Sequence, residues 1–258
     1  MQKPTHNQSV RSLQIVNHLL GIAGIAYVIV TAQWFWLLVA LFTYWTIGVL
    51  GINVGLHRLL SHRSFKTHSW IERFLSVVGV LTTVGSPLAW VAIHRQHHRA
   101  AETPQDPHSP YQLGNLRAWF GIWPPITLDT KLVRDLRRDR FQRRLHKHYH
   151  WIIAAYVVAL FASGGILAVI FGYCVPASLC LHSSSAIIVI AHRHGYRTHA
   201  CRDESRNSWI ANLITLGEGW HNNHHARPWA WSNWEKWWEW DVPAVIIRLI
   251  KINDKVRA

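Results

Sequence analysis

Two long stretches of this chain carry no formal charge. Residues 12–52 and 148–191 contain no Lys, Arg, Asp or Glu. Each is long enough for two passes of ~20 apolar residues through a lipid bilayer. Backbone polar groups in lipid must be satisfied within the segment, which here means helices. The spans are placed at about 13–31, 34–54, 150–171 and 176–191. Thr31, Ala32 and Gln33 turn the first pair, and a break near Gly172 and Pro176 divides the second. The expected fold is an all-α membrane protein with four transmembrane helices in two hairpins, a single domain over residues 1–258.

The basic residues orient these hairpins. The chain has 27 Lys and Arg against 13 Asp and Glu, a net charge of +14. All the basic residues fall in the N-terminal arm, in residues 55–147 or after 191. Positive loops stay inside, so both termini and the central segment are expected in the cytoplasm of a multi-pass protein. The polar first ten residues and the lack of a small-residue cleavage site argue against a removed signal peptide. Residues 74–93 are uncharged, but Gly79, Gly85 and Pro87 interrupt them. A helix dipping into or lying on the cytoplasmic leaflet is expected there, because a crossing would separate the basic segments on either side.

Such a charge also suits nucleic acid or an acidic partner. In WAWSNWEKWWEW at 229–240, Trp231, Trp234 and Trp238 recur as on one helix face. An interfacial amphipathic helix is expected, with no nucleic-acid partner. The cluster Arg134, Arg137, Arg138, Arg140, Arg143 and Arg144 suits lipid headgroups, a phosphorylated carrier or an acidic redox protein. Cys174, Cys180 and Cys201 form neither a disulfide framework nor a CxxC pair.

Chemistry must therefore rest on the 19 histidines. Three clusters stand out: HRLLSH with His57 and His62, HRQHH with His94, His97 and His98, and HNNHH with His221, His224 and His225. HxxHH spacing puts three imidazoles on one helical face. Two such helices face to face present six to a common centre. The i, i+5 pair is ~140° apart on a regular helix, so the second span is expected to fray there. Eight imidazoles exceed one four-coordinate zinc site. Two metals with open positions fit better, although imidazole suits iron, copper, zinc and nickel alike.

These boxes, in this order, resemble the membrane fatty acid desaturase family, specifically its acyl-CoA Δ9 type. The segments HRLLSHRSFK, TPQDPHSP, HRHGYR and GEGWHNNHHARP carry the likeness, which extends over about residues 30–250. The resemblance implies a cytosolic helical cap, about residues 55–149 and 192–258, holding a di-iron site. It supplies a ninth ligand, His192. One iron would take His57, His62, His94, His98 and His224; the other would take His97, His192, His221 and His225. It further implies O₂-dependent desaturation of a fatty acyl chain on CoA, acyl carrier protein or lipid. No haem or flavin motif is present, so electrons come from an external donor, ferredoxin or cytochrome b5-like. The family's acyl-CoA members have an Asn where Ile188 stands, and an Arg-Asp pair where Ala92 and Ile93 stand.

Two other classes remain open on the residues. A hydroxylase, acetylenase or ketolase would use the same di-iron platform. A non-enzymatic metal transporter or sensor would place its ligands along the spans, whereas these lie beyond them. The remaining histidines have plainer roles. His18 and His182 are expected to hydrogen-bond between helices, and His146, His148 and His150 to face water or headgroups. His194 and His199 are expected at the surface, and His68 and His108 have no partner spacing.

Overall fold

A computed structural model of the chain describes residues 6–123 and 129–252. Among these the regular structure is helical, with two isolated bridges joining Tyr196, Asn207 and Trp220. Helix α1 spans His6–Thr31, and α2 begins at Phe35 and continues without a break to Ser61. Three helices are long and apolar enough to cross a membrane: Gln8–Thr31, Phe35–Ser61 and Tyr149–Val189. Their outward faces are apolar and bare: Val30 is 85% exposed, Phe42 71% and Trp151 74%. Such faces are stable where lipid, not water, surrounds them.

The second half of α2 departs from the expected geometry. Ile47–Ser61 is wound as a π-helix, with i→i+5 pairing. The His62 amide accordingly donates to the His57 carbonyl at 3.1 Å. The segment does not fray at its end. It is wound wider, and residues five apart then point the same way.

The last membrane segment also differs. Helix α9 (Tyr149–Val169) contains Gly164 and Gly165, the latter at φ 65 and ψ −154, a conformation open essentially to glycine alone. The Tyr156 hydroxyl donates to the Gly172 carbonyl at 3.0 Å across 16 residues, which a straight helix would hold ~24 Å apart. The chain therefore doubles back at Gly164–Gly165, not near Gly172 and Pro176. Pro176 directly follows a π-helical turn, Ile170–Cys174, in a helix that runs on into α10 (Val175–Val189), and the Gly172 carbonyl four residues before it accepts from Tyr156 instead.

Residues 74–93 form no continuous span. Helix α3 (Ser69–Leu81) ends at a break where Thr83 and Gly85 take positive φ, and α4 (Pro87–Ala100) restarts under a Ser86 cap. α3 runs back along the π-helical part of α2. A Cβ on Gly51 would sit 3.0 Å from the Val78 carbonyl, and one on Gly55 3.1 Å from that of Leu75. This close seam brings α4 alongside α2. Arg95 fastens it, donating to the terminal carbonyls of Leu60 and Ser61 at 2.7 and 2.8 Å and pairing with Asp135 at 2.8 Å.

Beyond lie the short helices α5 (Pro110–Leu113), α6 (Asn115–Trp119), α7 (Arg134–Arg138) and α8 (Arg140–Lys147), then α11 (Trp209–Thr215), α12 (His221–Ala226) and α13 (Val242–Ile250). The tryptophan-rich stretch 229–240 is not the expected helix. Buried polar groups claim its backbone: Asn223 donates to the Asn233 carbonyl at 3.0 Å, and Glu239 accepts from the amides of Glu235 and Lys236 at 3.0 and 2.9 Å. Trp229, Trp234 and Trp237 remain exposed on this loop.

Candidate metal centre

α4 and α12 each present an HxxHH face, and the end of α2 adds His57 and His62. His192 follows directly after α10. The nine histidines gather into two groups: His57, His62, His94, His98 and His224 in one, His97, His192, His221 and His225 in the other. Within each, one ligand atom per residue lies within 4.8 Å of all the rest. The closest Nε2 pairs are His62–His94 at 2.7 Å, His57–His224 at 3.0 Å, and His98–His224 and His192–His221 at 3.1 Å. Imidazole nitrogens ~2.1 Å from one ion are spaced in this way.

Carboxylates set the tautomers. His57 Nδ1 lies 2.9 Å from Glu218, His97 Nδ1 2.9 Å from Asp106, His192 Nδ1 2.6 Å from Glu102 and His225 Nδ1 2.8 Å from Asp203. A carboxylate accepts only from N–H, so in His97, His192 and His225, which are hydrogen-bonded in this way, Nδ1 carries the proton and Nε2 presents a lone pair inward. The Nε2 of His225 is buried with no hydrogen-bond partner. An orphaned acceptor of this kind, beside eight other inward imidazoles, fits a bound cation and little else.

The electrostatics agree for all the shifted rings but His97, which Asp106 holds above the usual imidazole range against burial. Burial, then neighbouring imidazoles, push His62, His94, His98, His221 and His224 well below the usual imidazole range, keeping them neutral. Burial takes His225 down to about 4 against the pull of Asp203. Burial would raise Glu218, but Arg58 and His57 hold it at about 2. Burial likewise opposes ionisation of Asp106 and Asp203, yet the bonds from His97 and His225 keep both well below the ordinary carboxylate range.

A cavity of about 520 Å³ opens onto both groups, its walls including His57, His94, His97, His192 and His221. That is within the ~300–1,000 Å³ of ligand-binding clefts. Ile52, Val84, Trp90, Ile93, Leu181 and Ile188 give it an apolar lining, while Gln8 and Arg11 of α1 line it elsewhere. Ile93 and Ile188 thus face the cavity. Ala92 does not; it packs with Leu56, Leu60 and Val91 in the core.

Several side chains that shape the site were not singled out from sequence: Glu102, Asp106, Asp203, Glu218, Arg58 and Asn207. Asn207 accepts from the amides of Asn222 and Asn223 at 3.0 and 3.2 Å, holding the start of α12, which has no side-chain cap. Asp106 and Glu218 lie inside the quoted family-like segments, the one signal that would have found them. His108, which lacked partner spacing, lies with its ring centroid 4.6 Å from that of His97, the rings tilted by 33°. His18 and His182 bond each other at 3.0 Å, as expected. His146 and His150 are tied to Ser86 and Ser9 at 2.6 and 3.1 Å. His194 is exposed, and His199 pairs with Glu235 at 2.8 Å.

The profile of the fatty acid desaturase family matches residues 10–246. The chain belongs to this family. It is 35% identical over 217 residues to the sn-1 stearoyl-lipid 9-desaturase of Anabaena variabilis, covering 83% of this chain and 80% of that one. It is 36% identical over 244 residues to the Delta-9 acyl-lipid desaturase 2 of Arabidopsis thaliana, covering 91% and 76%. It is 33% identical over 247 residues to the acyl-CoA C20 Delta5-desaturase of Anemone leveillei, covering 92% and 78%. This desaturase-family chain is an oxidoreductase acting on fatty acyl chains.

Proposed function

We propose that the protein introduces a C=C bond into a fatty acyl chain at a two-iron centre, using O₂. The observation that carries this reading is one apolar cavity walled by members of both imidazole groups. His57, His62, His94, His98 and His224 would hold one iron; His97, His192, His221 and His225 would hold the other. A mid-chain methylene has no acidic hydrogen, so bases and nucleophiles of the protein cannot remove it. Bound iron supplies the O₂ chemistry for that removal. The chain's own residues orient the imidazoles, exclude water and place one C–C bond beside the metals. Overall, –CH₂–CH₂– + O₂ + 2 H⁺ + 2 e⁻ gives –CH=CH– + 2 H₂O. The two electrons come from an external one-electron donor, a ferredoxin or cytochrome b5-like protein.

A lipid-linked acyl chain is the favoured substrate form. The cavity reaches Gln8, Arg11 and Gln14 on α1, a membrane helix whose outer face is apolar, and Ile93 adds no charge to its wall. Two relatives named above are acyl-lipid desaturases. The reversal at Gly164–Gly165 supports four membrane-crossing arms within a single domain. The distribution of basic residues supports both termini and the metal-bearing cap in the cytoplasm.

Expression in a host of known lipid composition, with mass spectrometry and double-bond localisation, tests the reaction. A product lighter by two hydrogens, found first in intact membrane lipid, is expected. A product that only gains oxygen would make the enzyme a hydroxylase. Product found first on CoA or acyl carrier protein would remove the lipid-linked reading.

A further inference from the structure

The nine imidazoles are not backed alike. In the group of four, His97, His192 and His225 each direct Nδ1 at a carboxylate, namely Asp106, Glu102 and Asp203. In the group of five, His57 has a carboxylate, Glu218. Glu218 also lies 2.9 Å from the guanidinium of Arg58, whose other arm meets Asp241 at 2.9 Å. No Lys or Arg lies at ion-pair distance from Glu102, Asp106 or Asp203 among the described residues. One group therefore sits beside three anions without a paired cation. The other sits beside one anion that shares a buried cation.

The backbone at Glu102 strengthens this asymmetry. Glu102 has φ 59, a left-handed conformation uncommon outside glycine and asparagine. Strained residues persist where the surrounding structure needs their side chains. One carboxylate oxygen of Glu102 holds His192, and the other accepts from the Glu204 amide at 3.2 Å. Glu102 thus joins the loop after α4, which carries Asp106, to the loop that carries Asp203.

A carboxylate on the far nitrogen of an imidazole raises its donor strength, and nearby anions favour the more highly charged ion. Resting on the two-iron reading above, we infer that Glu102, Asp106 and Asp203 make the four-imidazole group the seat of the ferric ion in the half-reduced enzyme. The five-imidazole group then takes the donor's first electron, its Fe³⁺ becoming Fe²⁺ with no bond made or broken. The three carboxylates are positioning residues, acting through His192, His97 and His225.

The test uses full-length enzyme loaded with ⁵⁷Fe, poised at one electron per pair and read by Mössbauer spectroscopy. Equal ferric and ferrous components are expected. Asp106→Asn, Asp203→Asn and Glu102→Gln should each perturb the ferric component. Each should also shift the balance between the two half-reduced forms at least tenfold toward the reverse arrangement, ~59 mV for a one-electron couple. Glu218→Gln should perturb the ferrous component instead. Should one amide variant lose iron, the other two carry the comparison. The inference is overturned if Glu218→Gln disturbs the ferric component while the three others leave it unchanged, or if the two ions give one averaged signal. Iron content separates the two ideas: wild type binding fewer than two irons per chain removes the two-iron reading itself.

Discussion

Arg58 and Asp241 lie 183 residues apart in the chain, yet their side chains meet at 2.9 Å, both fully buried. Arg58 also holds Glu218 at 2.9 Å and donates to the Trp231 carbonyl at 2.9 Å. One guanidinium therefore locks the end of α2 to the loop that precedes α13. Burial raises the Asp241 carboxyl against the pull of Arg58. Removing the cation strands two buried carboxylates, so Arg58→Ala is expected to destabilise the protein by ~3–5 kcal/mol. Arg58→Lys should recover part of this at most, because a single ammonium cannot reproduce the forked contacts. Thermal unfolding in detergent measures both.

The hairpin within residues 149–189 depends on Gly165. Its φ of 65 with ψ −154 is essentially closed to L side chains. Gly165→Ala is expected to cost ~1–3 kcal/mol, although no atom lies within 4 Å of the added Cβ. The loss is one of backbone conformation. A melting temperature equal to wild type would count against the reversal at this position.

His97 and His224 belong to different groups, and each is buried. Replacing either with Ala should abolish the unsaturated product and lower the iron content measured on purified protein. Full activity in either variant would remove that residue from the ligand set.

Ile93 and Ile188 line the cavity. Ile93→Phe should leave iron content unchanged and reduce turnover of long acyl chains more than short ones, because the added ring occupies space the chain needs. An unchanged chain-length profile would place the substrate elsewhere.

On the two-iron reading, chelation leaves the nine imidazoles without a cation. The metal binds the folded state, so its removal should lower the melting temperature; iron at 100 times its dissociation constant contributes ~2.7 kcal/mol. Ferrous iron should restore the wild-type value, and a melting temperature indifferent to chelation and re-addition would argue against a structural role for the ion.

Much of this architecture was legible along the chain. Uncharged blocks at 12–52 and 148–191 mark the membrane segments, since no local alternative makes such stretches soluble. HxxHH is a helical spacing, so the faces of α4 and α12 follow from 3.6-residue periodicity. Long-range backbone competition was not legible. The 229–240 stretch has a helix-like tryptophan pattern, but the buried side chains of Asn223 and Glu239 take its backbone partners. The break expected at Pro176 moved to Gly165, because a π-helical turn absorbs the proline while only the glycine adopts the reversing conformation.

The sequence by itself determined which histidines could hold a metal and which segments are apolar enough to cross a membrane. Tertiary structure alone decided how the ligands are deployed. It wound His57 and His62 onto one face through i→i+5 pairing. It also brought Glu102, Asp106, Asp203 and Glu218 behind four of the nine rings. The reason is physical. Periodicity and hydropathy act over a few neighbouring residues, whereas a carboxylate behind an imidazole is set by how separate loops pack, and nothing in its local sequence records that.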